Sequence, residues 1–349
     1  MNNGWILVVM KIIQKQEKKI NNIVDYCVIG SGNIALRHYQ NVRNLDKKSK
    51  MIMCKRSKTE INKDAIKNNI QMTGYINNIY PRTSKSLAII CSPAVSHVKD
   101  AILLAKKGFH IFLEKPLSHN MNNIKKLIRI MHNNNTVNLV GYNMRFTDRF
   151  KSLKNILKSK NYNDIKKINV YAYTDFRKWR KNKNYKDTVT FKKNLGGGVI
   201  NELSHEIDYI VFLFNKPNSV YVESYKDNLI NADIESNITA TFEYKEYCFN
   251  IVFKLNMLSR KNKRSFDIIM NDSNIQVDHI ANSLKIDEQE IFFKDHIDDS
   301  YVREIKNIKQ SISKGLPTKL SAEECCSTQQ VLDAMHKSLK NNKKVNIRI

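Results

Sequence analysis

Residues 23–29, IVDYCVI, form a short apolar run that leads straight into GSGNIALRH, and a 3.6-residue periodicity then carries to Arg43. Strand, glycine turn and helix therefore follow one another. A second apolar run, MIMC at 51–54, precedes KRSKTEINKDAIKN, which reads as turn and helix. The alternation continues with LAIICS (87–92), a helix from about Val95 to Lys107, HIFLE (110–114), a helix from about Asn122 to His132, and VNLVGY (137–142). Parallel strands need crossover connections, so strands alternating with helices predict a doubly wound parallel sheet over residues 22–146.

The pattern changes from about Ile165. Longer strand-like runs, KINVYAYTDF, SVYVESY, ITATFEYKEYCFNIVFKL and SFDIIM, lie close together with one helical stretch between them, Val199 to Phe214. Such spacing predicts a largely antiparallel open sheet. Helices from about Tyr301 to Ser313 and from about Ala322 to Asn341 close the chain, the last of them free to pack back on the first domain. With 349 residues, two cores are expected, because one rarely serves beyond about 250–300 residues. The expected fold class is α/β, with a second α+β domain over 147–349. Residues 1–21 are expected to be an extension ahead of the first strand, with Met10 as the alternative start. The apolar stretch Gly4–Ile13 is short and interrupted by Lys11, a poor signal peptide.

Composition narrows the classes. The chain is 42% hydrophobic and 26% charged, and it lacks a run of about 18 or more apolar residues, which argues against a membrane role. The net charge of +26 raises a nucleic-acid partner. The lysines are nevertheless spread from Lys11 to Lys344 among asparagines, without a basic face to read, so no nucleic acid is expected. Cys27, Cys54, Cys91, Cys248, Cys325 and Cys326 have no metal-ligand spacing. Reduced thiols, no metal site and a cytoplasmic location are the expectation.

The chemistry begins at Gly30-Ser31-Gly32-Asn33-Ile34-Ala35, a G-x-G-x-x-A turn between strand and helix. Gly30 allows the tight turn, Gly32 lets a pyrophosphate approach, and Ala35 packs helix on strand, the dinucleotide fingerprint of a Rossmann domain. An NAD site usually carries an acid about 20 residues on, at the end of the second strand. Here that strand ends in Cys54-Lys55-Arg56-Ser57. Two cations and a hydroxyl favour the 2′-phosphate of NADP over NAD; a solvated basic turn is the alternative.

Three further segments complete an ordered set: Cys91-Ser92-Pro93 with His97, Glu114-Lys115-Pro116, and Gly196-Gly197-Gly198 before a helix bearing His205 and Asp208. Together with the glycine turn, this set resembles the glucose-fructose oxidoreductase and inositol dehydrogenase family (Gfo/Idh/MocA), from about Val24 to Lys344. The stretch from Trp179 to Tyr209 is similar to a branch associated with sialic-acid-like sugars and surface polysaccharides.

The resemblance implies hydride transfer between a nicotinamide and a sugar-type hydroxyl or ketone, with an amino sugar, nucleotide sugar or sugar acid as substrate. It places Lys115 beside the reacting oxygen and makes His205 the acid-base residue. Glu114 and Pro116 shape the turn, and Ser92, Pro93 and His97 lie at the cofactor. The family commonly has an aspartate four residues before the histidine; here Asn201 stands there and Glu202 follows. Glu202 keeps a helical spacing to His205, and Asp208 is placed to orient the ring from the other side. Asn143, in GYNMRF, is the expected substrate contact, with Arg145 as a structural residue; Trp179, Arg180, Tyr185 and Lys193, in the polar, aromatic and basic segment before the glycines, suit a sugar and an anionic group, an exposed loop being the alternative, and Asn201 and His205 complete the expected substrate site. The resemblance also implies a homo-oligomer, dimer or tetramer. Competing readings are a non-catalytic dinucleotide or sugar sensor, a glycosidase using tightly bound dinucleotide, and, remotely, a nucleic-acid-binding protein.

Overall fold

The computed structural model describes residues 21–55, 70–179, 184–225 and 234–347. The helix expected after the second strand, the extension before residue 21, and Arg56, Ser57 and Arg180 lie outside the described residues. The chain divides into two compact units, one comprising 1–114, 123–141 and 305–322, the other 115–122, 142–304 and 323–349.

The first unit is built on six parallel strands. Their order is Met72–Thr73, Met51–Cys54, Tyr26–Ile29, Leu87–Ile90, His110–Glu114 and Asn138–Gly141. Numbered along the chain this is 3-2-1-4-5-6, the doubly wound Rossmann order, whose strand sequence reverses beside Tyr26–Ile29. Every residue of Tyr26–Ile29, Met51–Cys54 and Leu87–Ile90 is buried, as expected for strands covered on both faces. The first expected strand is shorter than its apolar run because the chain bends at Asp25. That carboxylate accepts hydrogen bonds from Lys50 N and from Arg82, and Asn22–Val24 pairs separately with Ile79–Pro81.

The second unit carries a nine-stranded sheet. Its neighbours are antiparallel except Asn250–Asn256 beside Ile165–Asp175. Along Ile165–Asp175, Ile168, Val170 and Ala172 alternate into the core while Asn169, Tyr171 and Tyr173 stay partly exposed on the other face. Burying one side chain of this size stabilises by roughly 1.5–3 kcal/mol, so the alternation fixes which face the helices cover. The expected helix Val199 to Phe214 is broken at Leu203 into Val199–Glu202 and Ser204–Phe214. The preceding Gly197 packs backbone on backbone: a Cβ there would lie 2.5 Å from Thr190 O and closer still to Val189 O.

Candidate active site

In the first unit, Gly30 has φ +119°, and a Cβ would sit 2.7 Å from Cys91 O. Only glycine brings the turn this close to the neighbouring strand. Gly32 ends the turn with extended backbone, and no side chain caps the helix Asn33–Leu45. A Cβ at Gly32 would meet nothing within 4 Å. The sequence thus keeps a glycine where no atom of the described residues demands one, in front of uncapped N–H groups that favour an anion. These residues fit a dinucleotide pyrophosphate.

Lys55 follows the second strand, where its backbone N–H donates to Thr73 O. Ser92 and His97 are turned inward. The Ser92 hydroxyl donates to Asp100 Oδ2 at 2.9 Å, and His97 Nε2 lies 2.7 Å from the Ser92 carbonyl. The His97 ring, 1% exposed, therefore shapes the turn bearing Pro93 and presents no free edge to a ligand. Glu114 is held in the same way, with its Oε1 2.6 Å from His38 Nε2 inside the first unit. His38 escaped the sequence reading because nothing marks a buried histidine on a helix face except its single polar break in the apolar stripe.

The chain enters the second unit at Lys115, whose peptide with Pro116 is cis. Lys115 Nζ donates to Glu202 O at 2.9 Å and to Asn201 O at 3.5 Å, with the Glu202 carboxylate 3.9 Å away. The Val199–Glu202 turn thus anchors the ammonium through its own carbonyl ends, the groups that favour a cation. His205 is half-buried, with Tyr142 edge-on at 5.8 Å. Its buried Nδ1 has no hydrogen-bond partner among the described residues. Burial, then the positive charges of Lys115 and Arg264, hold its pKa well below the ordinary 6.5. The ring is neutral at physiological pH and able to take a proton.

Several predicted neighbours of His205 are committed elsewhere. Asp208 does not orient the ring: its carboxylate takes both Arg145 Nε at 2.7 Å and Arg145 Nη2 at 2.6 Å, and the Thr328 hydroxyl at 3.0 Å. The pair is buried on both sides, so Arg145 is structural as expected and Asp208 is its counterion. Glu202 turns toward Lys115 because the helix breaks at Leu203, and the three-residue spacing no longer stacks it on His205. Asn201 donates to Gly196 O and accepts from His336. Asn143, 2% exposed, donates to the Ser300 hydroxyl. These two amides fasten the backbone around Lys115 and Tyr142. Tyr185 lies against Phe191, ring centroids 5.0 Å apart. Lys193 faces Glu235 at 3.6 Å, and Trp179 closes the turn Phe176–Trp179.

The sequence reading missed Arg264, which reaches Glu206 at 2.6 Å, and Arg149, which is 2% exposed on the buried face of Asp148–Lys158. A signal for Arg149 exists: it shares the four-residue spacing of Leu153 and Leu157, an apolar stripe in which a cation is out of place.

Residues 24–142 match the oxidoreductase family with NAD-binding Rossmann fold, GFO_IDH_MocA, and residues 161–347 match its C-terminal alpha/beta domain. The chain is 21% identical over 275 residues to the myo-inositol 2-dehydrogenase of Thermotoga maritima, covering 74% of this chain and 79% of that protein. It shares its fold with the WlbA dehydrogenase of Bordetella pertussis, solved with NADH and UDP-GlcNAcA, at TM-score 0.76 and 16% identity over 93% of this chain and 98% of the other. The UDP-N-acetylglucosamine 3-dehydrogenase GnnA of Acidithiobacillus ferrooxidans superposes at TM-score 0.73 and 15% identity over 91% and 98%.

Proposed function

Because the chain belongs to the Gfo/Idh/MocA oxidoreductase family, with the NAD-binding and C-terminal domains in order, we propose that it is an NAD(P)-dependent dehydrogenase or reductase acting on a CH–OH carbon of a sugar derivative. The observation that supports this most directly is the pairing of an anchored Lys115 with a neutral His205 in one charge-coupled cluster.

When bound, the nicotinamide supplies the hydride acceptor or donor. Gly30, Ser31, Gly32, Asn33 and Ile34 hold the pyrophosphate at the helix start. Lys55, with Arg56 and Ser57, takes the ribose 2′-phosphate, so NADP is preferred over NAD. Ser92, Pro93, His97 and Glu114 set the turns at the ends of the fourth and fifth strands. Lys115 donates to the substrate oxygen and stabilises the negative charge that grows on it, which lowers the cost of losing its proton. His205 receives that proton in oxidation and returns it in reduction. Its neutral state at physiological pH suits the oxidising direction first. Glu202 keeps the Lys115 ammonium in place, Asp208 acts through Arg145, and Trp179, Arg180 and Tyr185 are assigned to sugar binding by residue type alone and offer aromatic and cationic surface to the sugar. Asn143 and Asn201 act through the backbone they fasten.

The relatives' substrates, an inositol and UDP-linked sugars, support a cyclic polyol or activated sugar, in the supply of sugars to surface polysaccharides. Six free cysteines, and no helix among the described residues long and apolar enough to cross a membrane, support a cytoplasmic enzyme.

Titration of the protein with NADPH and NADH, followed by nicotinamide fluorescence, tests the cofactor half. NADPH is expected to bind at least ten-fold more tightly, and the Lys55→Ala/Arg56→Ala double variant to lose that preference. If neither dinucleotide binds, added or copurified, the oxidoreductase reading falls.

A further inference from the structure

The acids closest to His205 in the chain are committed to other side chains. Glu202 faces Lys115, Glu206 takes Arg264 and Asp208 takes Arg145. The two ring nitrogens of His205 are unlike: Nδ1 is buried without a hydrogen-bond partner among the described residues, whereas Nε2 lies on the part of the ring that stays exposed. The outward nitrogen is the one that can meet a substrate hydroxyl. To take a proton there it must carry a lone pair, so the hydrogen of the neutral ring has to sit on Nδ1, and a buried N–H needs an acceptor.

Three more buried atoms beside it are in the same condition. The Tyr142 hydroxyl, the Ser204 hydroxyl and Arg145 Nη1 have no hydrogen-bond partner among the described residues. Tyr142 and Ser204 are 0% exposed, and the Arg145 side chain is 7% exposed. Tyr142 links the group. Its ring stands edge-on to His205 at 5.8 Å, and its hydroxyl, kept protonated by burial and then by Asp208, is also acted on by Arg145 and Ser204. Buried polar groups are nearly always paired, so four orphans around one tyrosine call for a group that serves them all. Asp208 already balances the charge of Arg145, so that group is neutral, and the complete burial of Tyr142 and Ser204 keeps it small. Arg145 Nη1 can only donate, Nδ1–H donates, and the two hydroxyls can accept. A water molecule, which accepts twice and donates twice, matches the set; buried waters make about 2–4 such bonds.

We infer that Arg145 Nη1, Tyr142, Ser204 and His205 Nδ1 enclose one buried water, and that Tyr142 and Ser204 are positioning residues that hold His205 in its Nδ1–H tautomer through it. The inference rests on the reading of His205 as the acid-base residue. The water accepts from Arg145 and from Nδ1–H and donates to the two hydroxyl oxygens. When Nε2 takes the substrate proton, Nδ1–H keeps the same acceptor, so the site serves both protonation states of the ring. With the hydroxyls removed, the hydrogen of the neutral ring moves to Nε2, where solvent accepts it, and the base is lost.

The test reads the tautomer in the free full-length protein. Long-range proton–nitrogen NMR of histidine-labelled protein, slightly above neutral pH, separates a protonated ring nitrogen from a bare one, and the His205 signals are those missing from His205→Gln. The parent protein is expected to show Nδ1 protonated and Nε2 bare. Tyr142→Phe/Ser204→Ala is expected to move the tautomer ratio toward Nε2–H by about ten-fold or more. Tyr142→Phe alone, which removes one oxygen and leaves the ring contact, is expected to move it part of the way. A high-resolution crystal structure of the parent is expected to show one ordered water within hydrogen-bond distance of all four atoms. Nε2–H in the parent, an unchanged ratio in the folded double variant, or a crystal structure in which no water joins the four atoms each overturns the site. Where a variant does not fold, the parent spectrum and the crystal structure decide. Dinucleotide binding by the same sample reports separately on the oxidoreductase reading: a protein that binds dinucleotide yet holds His205 as Nε2–H loses the water site alone.

Discussion

At the scale of single residues, His205 joins a catalytic proposal to an electrostatic environment that can be measured in the free protein. Its pKa is held well below 6.5 first by burial and then by Lys115 and Arg264. A general base of this kind is active when deprotonated, so the acidic limb of kcat/KM for alcohol oxidation is expected below pH 6.5, with a plateau above it. Removing one nearby cation must let the ring hold its proton more readily. Histidine NMR titration of Lys115→Met is therefore expected to show the His205 pKa displaced upward, alongside a loss of turnover of about 10² or more. An unmoved His205 signal in that variant would separate Lys115 from the histidine and break the pair. Among the residues on which this rests, Gly30 and Gly32 stand out in the sequence by their offset from a strand end, and Lys115 and His205 through the motifs that resemble the family. Arg149, Arg264 and His279 were not legible, since a helix, a strand and a turn bring them together only through the tertiary fold.

Among the elements, the strands Met51–Cys54, Leu87–Ile90, His110–Glu114 and Asn138–Gly141 were legible as continuous apolar runs, as strands buried on both faces must be. The two-residue strand Met72–Thr73 and the strands Asn274–Asp278, Ser283–Ile286 and Gln289–Phe292 toward one end of the nine-stranded sheet were not. They are short, and Gln289–Phe292 stands exposed along its length, so pairing with a neighbour defines them more than their own composition. The break at Leu203 was equally hidden, because Val199–Phe214 is apolar enough to read as one helix. What dictates the break is the entry to it: the glycines at 196–198 lie against residues 189–192, with Gly198 N donating to Thr190 O and Val199 N to Glu235 O. Gly197→Ala would drive a methyl into two carbonyl oxygens that cannot swing aside. Overpacking of this kind costs about 2–3 kcal/mol; a Tm lower by roughly 5–10 °C is expected for a unit of this size. Lys115 is anchored on the carbonyls that this entry positions, so turnover should fall further than the Tm shift alone accounts for. A variant with wild-type Tm would show that the close approach is not needed.

The whole molecule shows two properties that no single site determines. The outward face of the nine-stranded sheet carries Tyr171 and Tyr173, with Lys263 3.7 Å over the Tyr171 ring, and Ile269 remains 37% exposed. Such a partly apolar face supports a dimer or tetramer, and light scattering giving a 40.7 kDa particle would reject it. The second property is acid sensitivity set by histidines that fold in neutral form. His205 and His279 have pKa values well below 6.5, and His336 and His110 are lowered from it, burial being the largest cause in each case. Once the pH falls below about 6.5, the unfolded chain binds protons that the folded chain refuses, so stability declines with falling pH. Each histidine held neutral in this way contributes up to about 1.4 kcal/mol per pH unit. The carboxylates whose pKa is depressed, Asp148, Asp175 and Glu243, add the same sign only below about pH 4.5, beneath their unfolded values. Between pH 7.5 and 6.5 thermal unfolding should therefore change little, and between 6.5 and 5 the Tm should drop steeply. His279→Asn, whose amide takes up no proton, should flatten that drop; a Tm that is level from pH 7.5 to 5 in the parent protein would mean that these rings are not held neutral by the fold.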